Sequence, residues 1–304
     1  MRVLSLVRRL RAEFKALIEL VLLPGLALIL PWSLCYRLFW QLSRAPFFYR
    51  ARCRQSLAAA QRAGFVDDPV RWIRRYRLMI MIDHADLYLS RSRGDRWMER
   101  HLRREGSWPD PGNAFVGCTF HWGAGMWGLR DIARAGLRAH ALVGRLQKAA
   151  FRGQYIIGRY SFARVAEVGR ALGTRPLDVS RDLSQLLRLI RQQDVLVAAV
   201  DVPPDEVGGS IPVRFLGRQI SVPRGIFRLA AGKRLPVVFY LTGFDFSTGE
   251  RFLHITDPVV SGDAAVLAEQ AFAELESWVT RQPECWHFWF ALNRFTRGKA
   301  EHPA

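Results

Sequence analysis

The sequence predicts an α/β fold: a mainly parallel central sheet flanked by helices, preceded by a helical N-terminal membrane anchor region. Three observations predict it. Short apolar runs, β-branched in places, occur at 114–120, 139–143, 195–200 and 236–241. Helical stretches fall between or after them, at 125–136, 178–192, 224–231 and 264–280. Buried strands alternating with amphipathic helices are the pattern of a parallel sheet covered on both faces. The third observation is a basic N-terminus that runs into an apolar stretch.

Arg2, Arg8, Arg9, Arg11 and Lys15 precede that stretch, and 20–36 carries no charge. A helix needs about 20 apolar residues to cross a bilayer, a length that 16–36 reaches only by including Glu19. Pro24 and Pro31 interrupt it. A single span and a bent, half-inserted anchor are both open, and a buried core helix with solvated arginines is the bland alternative. Trp32, Tyr36, Phe39 and Trp40 suit a membrane interface. Their bulk argues against a small-residue cleavage site, hence against a removed leader. The basic flank favours a cytoplasmic N-terminus.

The next region reads as helical. Ala45-Pro46 can start one segment. Asp67-Asp68-Pro69 is a helix entry, with Asp as cap and Pro in the first turn. Trp72, Tyr76, Met79, Ile80 and Tyr88 follow at roughly helical spacing. Asp83-His84-Ala85-Asp86 reads as a solvated polar patch, because these side chains do not share one helix face. No metal site is expected there or elsewhere. The cluster Ser107-Trp-Pro-Asp-Pro-Gly112 is a loop. It divides a helical region, 45–110, from an α/β domain, 111–304; the anchor occupies 1–44.

With 304 residues, half of them apolar, the chain can bury a sizeable core, and disorder is excluded for most of it. Lys plus Arg number 45 against 27 acidic residues, a net charge of +18. Such a balance calls for an anionic partner. Residues 1–62 hold eleven basic residues against two acidic ones, whereas 111–304 hold 24 against 17. Half of the excess therefore flanks the apolar anchor, where anionic membrane lipid would meet it. No nucleic-acid module accompanies the charge, so no nucleic-acid partner is expected. The four cysteines, Cys35, Cys53, Cys118 and Cys285, are far apart and read as buried thiols in a reducing compartment.

The first strong strand ends at His121, followed by Trp-Gly-Ala-Gly and a helix from about Gly125. Ligands of such sheets bind outside the carboxyl ends of the strands. A helix N-terminus disfavours an imidazolium and keeps a neutral base available. Gly123 and Gly125 let backbone approach a ligand, and free N–H groups there can hold an oxyanion. Arg145, Lys148, Arg152 and Arg159 follow the second strand and suit phosphates, or form a solvated face. Arg214 and Arg218 carry the same two readings. Asp205-Glu206 reads as part of a turn, and the aromatic run around Trp289 as core. Gly-x-Ser-x-Gly is absent, which argues against a standard serine hydrolase.

Three blocks, VGCTFHWGAGMW, AAVDVPPDEVGGSIPVRFLGRQISVPRGIFRLAAGKRLPVVFY and PECWHFWFALNRF, occur in that order. Together they resemble the lipid A late acyltransferases of the lysophospholipid acyltransferase superfamily. The resemblance covers about 114–295 and implies an anchored α/β enzyme with no cofactor beyond an acyl thioester co-substrate. It implies His121 as general base, and Asp201 as the Asp after a later strand. Arg145 stands at the family's Arg after its second strand, and residues 213–217, with Arg214 and Gly217, at its apolar-Gly segment.

One position departs from the family. Its His-x4-Asp/Glu motif places a carboxylate five residues after the His, and here that residue is Met126. Met cannot orient an imidazole or stabilise its protonated form. Asp131 lies a further five helical residues away, about 7.5 Å. Asp201 or Asp205, at another strand end, can approach instead. The expectation is therefore an acyltransferase: an acyl thioester on acyl carrier protein or CoA, and a hydroxyl or amine of a lipid or glycolipid as acceptor. The alternative is an inactive relative that binds lipid or acyl chains.

Overall fold

The computed structural model describes residues 2–144, 146–178, 183–204 and 209–296. Helix α1 (Arg2–Leu17) continues through a π-helical turn (Ile18–Leu22) into α2 (Leu23–Ile29). Leu30 is extended and Pro31 precedes α3 (Trp32–Leu42). The apolar stretch is thus broken at Leu30–Pro31. Among the described residues no helix is long and apolar enough to cross a membrane. The single-span alternative is not what the chain forms. Leu23, Ala27, Trp32, Cys35, Tyr36 and Phe39 are buried in the protein's own core.

Helix α4 (Arg50–Arg62) starts later than Ala45-Pro46 suggests, after a turn in which Tyr49 takes φ 50°. Helix α5 (Pro69–Ser92) begins where its sequence says. Asp68 Oδ1 accepts from the N–H groups of Val70 (2.9 Å) and Arg71 (3.1 Å), and Pro69 lacks the N–H that would otherwise be orphaned. Helix α6 (Asp95–His101) leads into β1 (Leu102–Glu105), a strand inside the region expected to be helical. After the loop come β2 (Val116–Thr119), α7 (Met126–Arg134), β3 (Ala139–Val143), α8 (Tyr155–Leu172), β4 (Leu177–Asp178), α9 (Leu183–Arg191) and β5 (Val195–Ala199). Then follow β6 (Ser210–Phe215), β7 (Arg218–Pro223), α10 (Gly225–Lys233), β8 (Val237–Phe244), β9 (Arg251–Ile255), α11 (Ala264–Arg281) and α12 (Leu292–Thr296).

The sheet has seven strands in the order β1-β9-β8-β2-β5-β3-β4. All neighbours are parallel except β8 and β9. β6 and β7 form a separate antiparallel hairpin. Its two-residue turn, Leu216-Gly217, has both φ values positive (52° and 71°), the geometry that matches the twist of a tight hairpin. The largest buried cluster runs from Leu23 to Phe295 and includes side chains of α2 to α5, the central strands and α11. β1, which precedes the 107–112 loop, pairs with β9, which follows it.

The Asp83-His84-Asp86 patch is not solvated. All three side chains are buried, because α5 packs against α2, α4, α7 and α8. Each charge has a partner. Asp83 Oδ1 accepts from Arg164 Nη2 at 2.6 Å, and Asp86 forms a buried ion pair with Arg251. The Arg251 guanidinium in turn lies 3.9 Å from the Trp32 ring centroid. The four cysteines are free and buried.

Candidate functional site

β2 and β5 are parallel neighbours, with Thr119 opposite Ala199. The Val200 N–H donates to Thr119 O at 3.0 Å. Two residues further on each strand, the same register sets His121 beside Asp201. The His121 backbone N–H donates to both carboxylate oxygens of Asp201, 2.9 Å each. His121 Nδ1 lies 2.9 Å from Asp201 Oδ1. A carboxylate only accepts, so Nδ1 carries the proton and Nε2 is left as the basic nitrogen. Asp201 is fully buried, while the His121 side chain is 40% exposed. Nε2 meets no partner among the described residues. The pair is a solvent-facing base oriented by a buried acid.

Met126 makes no polar contact with His121. It is buried with Trp108, Leu129 and Ile132 in a second apolar cluster. Asp131 is occupied elsewhere: its carboxylate accepts from Arg104 Nη2 (2.5 Å) and Trp108 Nε1 (2.9 Å). Between Asp131 and Asp201, it is Asp201 that the fold brings to His121.

Gly123 has φ 68°, and a Cβ there would stand 2.2 Å from Thr242 O. Only glycine fits this close approach. The turn is locked by the Ala124 N–H, which donates to Thr242 O at 2.9 Å. Gly125 is the N-cap of α7, and a Cβ on it would meet nothing within 4 Å. Its N–H meets no acceptor among the described residues.

The segment from Cys285 to Phe288 completes the site, and the sequence reading missed it as a positioning element. It runs antiparallel to the His121 loop through the bridge Trp122–Trp286. The Gly123 N–H donates to Cys285 O, and the His287 N–H to His121 O, both 2.8 Å. Trp286 Nε1 donates to Asp201 Oδ2 at 3.0 Å. His287 Nε2 lies 2.7 Å from Gly123 O, and Arg52 Nη2 lies 3.2 Å from His287 Nδ1. The Phe288 ring meets the His121 ring edge-on, with centroids 4.6 Å apart. Burial pushes the His287 ring down to about 4, so it is neutral at pH 7. The one signal in the sequence was the Trp-His pair within the terminal block.

The other expected residues fall elsewhere. Arg145 lies outside the described residues, as do Asp205 and Glu206. Arg214 and Gly217 sit on the β6–β7 hairpin. They line a hollow of about 430 Å³ with Val213, Arg218, Gln219 and Glu269, apart from His121. The Arg214 N–H donates to Glu269, and the Leu216 N–H to Glu276, which fastens the hairpin to α11. The hairpin touches the site through Phe215, whose ring packs 5.2 Å from Trp286. Lys148 and Arg152 are exposed, and Arg159 Nη1 donates to the Tyr155 hydroxyl at 2.7 Å. Among the described residues no group of three His, Cys, Asp or Glu side chains stands close enough to hold a metal ion.

Comparison with protein-family models gives no match for this chain, and none of the curated proteins matches it.

Proposed function

We propose that the chain is an acyltransferase. It moves a fatty acyl group from a thioester, on acyl carrier protein or CoA, to a hydroxyl or amine of a lipid or glycolipid acceptor. The observation that supports this is the His121–Asp201 pair, an exposed imidazole on a buried carboxylate at the carboxyl ends of a parallel sheet. Nε2 of His121 takes the acceptor's proton as its oxygen or nitrogen attacks the thioester carbonyl carbon. The new bond forms and the carbonyl electron pair moves onto oxygen. The Gly125 N–H and the first turn of α7 stabilise that oxyanion. Collapse reforms the carbonyl and breaks the C–S bond, and the proton on Nε2 passes to the leaving sulfur.

On this reading the chain is a divergent relative of the lipid A late acyltransferases, with Asp201 doing what their motif carboxylate does. Its N-terminal region associates with the anionic cytoplasmic face of an inner (plasma) membrane. The exposed apolar side chains Val7, Leu10 and Phe14 on α1, with Leu22, Leu28, Ile29, Leu34 and Phe47, support attachment at the surface. Met126 favours a second reading, a non-catalytic protein that binds lipid or acyl chains.

Release of free thiol by the full-length chain, given an acyl thioester and a mixed lipid acceptor, separates the two. His121→Ala and Asp201→Asn should each lower turnover roughly 10²- to 10⁴-fold while the chain stays folded. Turnover within a few-fold of the parent in both variants would sink the acyltransferase reading.

A further inference from the structure

We infer that Arg52 and His287 form a lock that positions the His121–Gly125 loop, so that the N-terminal helical region supplies part of the site. The inference rests on His121 acting as proposed, but its geometry is independent of that chemistry.

A guanidinium only donates, so the His287 Nδ1 that faces Arg52 Nη2 must accept. The Gly123 carbonyl only accepts, so the His287 Nε2 that faces it must carry the proton. These two partners admit one tautomer and one ring orientation. The other tautomer would set Nδ1–H against the guanidinium and a bare nitrogen against the carbonyl, and a flipped ring would set carbon atoms against both. A second proton would put a donor against a donor and one cation beside another.

His287 therefore grips the loop at two carbonyls. Its backbone N–H holds His121 O, and its ring holds Gly123 O. Between them lies Trp122, bridged to Trp286. Gly123, at φ 68°, gives up this conformation readily if its carbonyl is released, because glycine has other wells open to it. The peptide plane that follows aims the Ala124 and Gly125 N–H groups. A shift of about 1 Å in such groups is enough to cost a large factor in rate.

Arg52 is suited to this task. It is half-buried and forms no ion pair among the described residues. Its guanidinium is held over the Phe290 ring, 5.3 Å from the centroid. Removing even a half-buried cation from water has a cost that an ion pair would offset, and none is made here. The position is better explained by the donor it gives His287.

The test uses the full-length chain with ¹⁵N-labelled histidine. In the parent, His287 should show one protonated Nε2 and one bare Nδ1 from pH 6 to 8. Arg52→Leu leaves Nε2–H on the Gly123 carbonyl but removes the donor from Nδ1, so the Nδ1 resonance should move to that of a bare nitrogen without a hydrogen bond, and kcat should fall roughly tenfold with KM changed less than about twofold. Arg52→Lys keeps a donor and should restore most of both. An unchanged Nδ1 resonance in Arg52→Leu overturns the lock. A shifted Nδ1 resonance with an unchanged kcat overturns its positioning role. If the parent transfers no acyl group at all, the proposed function fails, while the ring nitrogens still judge the lock.

Discussion

His84 and His287 are buried imidazoles held neutral among cations. Burial is the main cause for both, and pushes His84 down to about 3 and His287 to about 4. His84 Nδ1 lies 2.5 Å from the Tyr160 hydroxyl, and Arg164 stands on the same cluster. Neither ring accepts a proton without stranding a charge. An unfolded histidine protonates near pH 6.5, well above either folded value. Between pH 6.5 and about 4 the unfolded chain therefore binds more protons, and stability falls as the solution is acidified. Each ring contributes at most about 1.4 kcal/mol per pH unit in that window. Glu19 and Asp86, both raised by burial, act in the opposite sense, while His101, lowered by burial, acts with the two rings. Asp83 adds nothing here. Burial would raise it, yet Arg164 holds its carboxyl well below the usual range, so its loss comes at lower pH. The thermal midpoint should fall steadily from pH 7 to pH 4.5, and His84→Phe should flatten the slope. A midpoint flat over that range would show that both rings protonate as freely in the folded chain as in the unfolded one.

At the scale of elements, the His121 loop is built from two glycines with opposite demands. Gly123→Ala places a Cβ against Thr242 O and forces a positive φ on a residue that resists it. It should destabilise the chain by about 1 to 3 kcal/mol in urea unfolding. Gly125→Ala meets no atom within 4 Å and sits at φ −70°. Its stability should change by less than about 0.5 kcal/mol, while turnover drops because the methyl enters the space over the loop. Equal stability of the two variants would contradict this division. Much of this element was legible in the sequence: β2, β3, β5 and β8 lie within a few residues of the apolar runs, and His121 follows its strand as expected. Asp201 was legible as an acid at another strand end but not as the partner of His121, because that requires knowing that β2 and β5 are neighbours. That adjacency is a property of strand order, which periodicity does not report. The short or half-exposed strands β1, β4, β6, β7 and β9 were missed for a related reason. Some are too brief to alternate, and others are defined by their partners. The Trp286–His287–Phe288 grip was invisible because aromatic residues in a terminal block read as core, which Trp286 and Trp289 also are.

For the whole molecule, the core and the charge point in different directions. The core does not stop at the 107–112 loop: α5 is buried among elements on both sides of it, and β1 pairs across it. The N-terminal helices are therefore part of the globule as well as the proposed means of attachment. The apolar stretch at 20–36 was expected to meet lipid, yet much of it went into that core, where Trp32 Nε1 donates to Gly249 O and the Tyr36 hydroxyl to Phe246 O. What remains outside is α1. Val7, Leu10 and Phe14 recur at i, i+3 and i+7, hence on one face, and are exposed. Arg8, Arg9 and Arg11 are exposed between them. Glu13 fastens the helix to the body by accepting from the N–H groups of Tyr155 (2.7 Å) and Ile156 (2.8 Å) at the start of α8. On the proposed attachment this helix would lie in the membrane interface, where each basic residue near an anionic surface adds about 1 kcal/mol. The full-length chain should therefore sediment with vesicles that contain anionic phospholipid and much less with neutral ones. Raising salt should weaken the association, since the attraction falls off within a Debye length of about 10 Å at 0.1 M. Leu10→Glu with Phe14→Glu should abolish most of it without lowering the thermal midpoint, because both side chains are already in water. Vesicle binding that is unchanged in the double variant would place the contact surface elsewhere on the molecule.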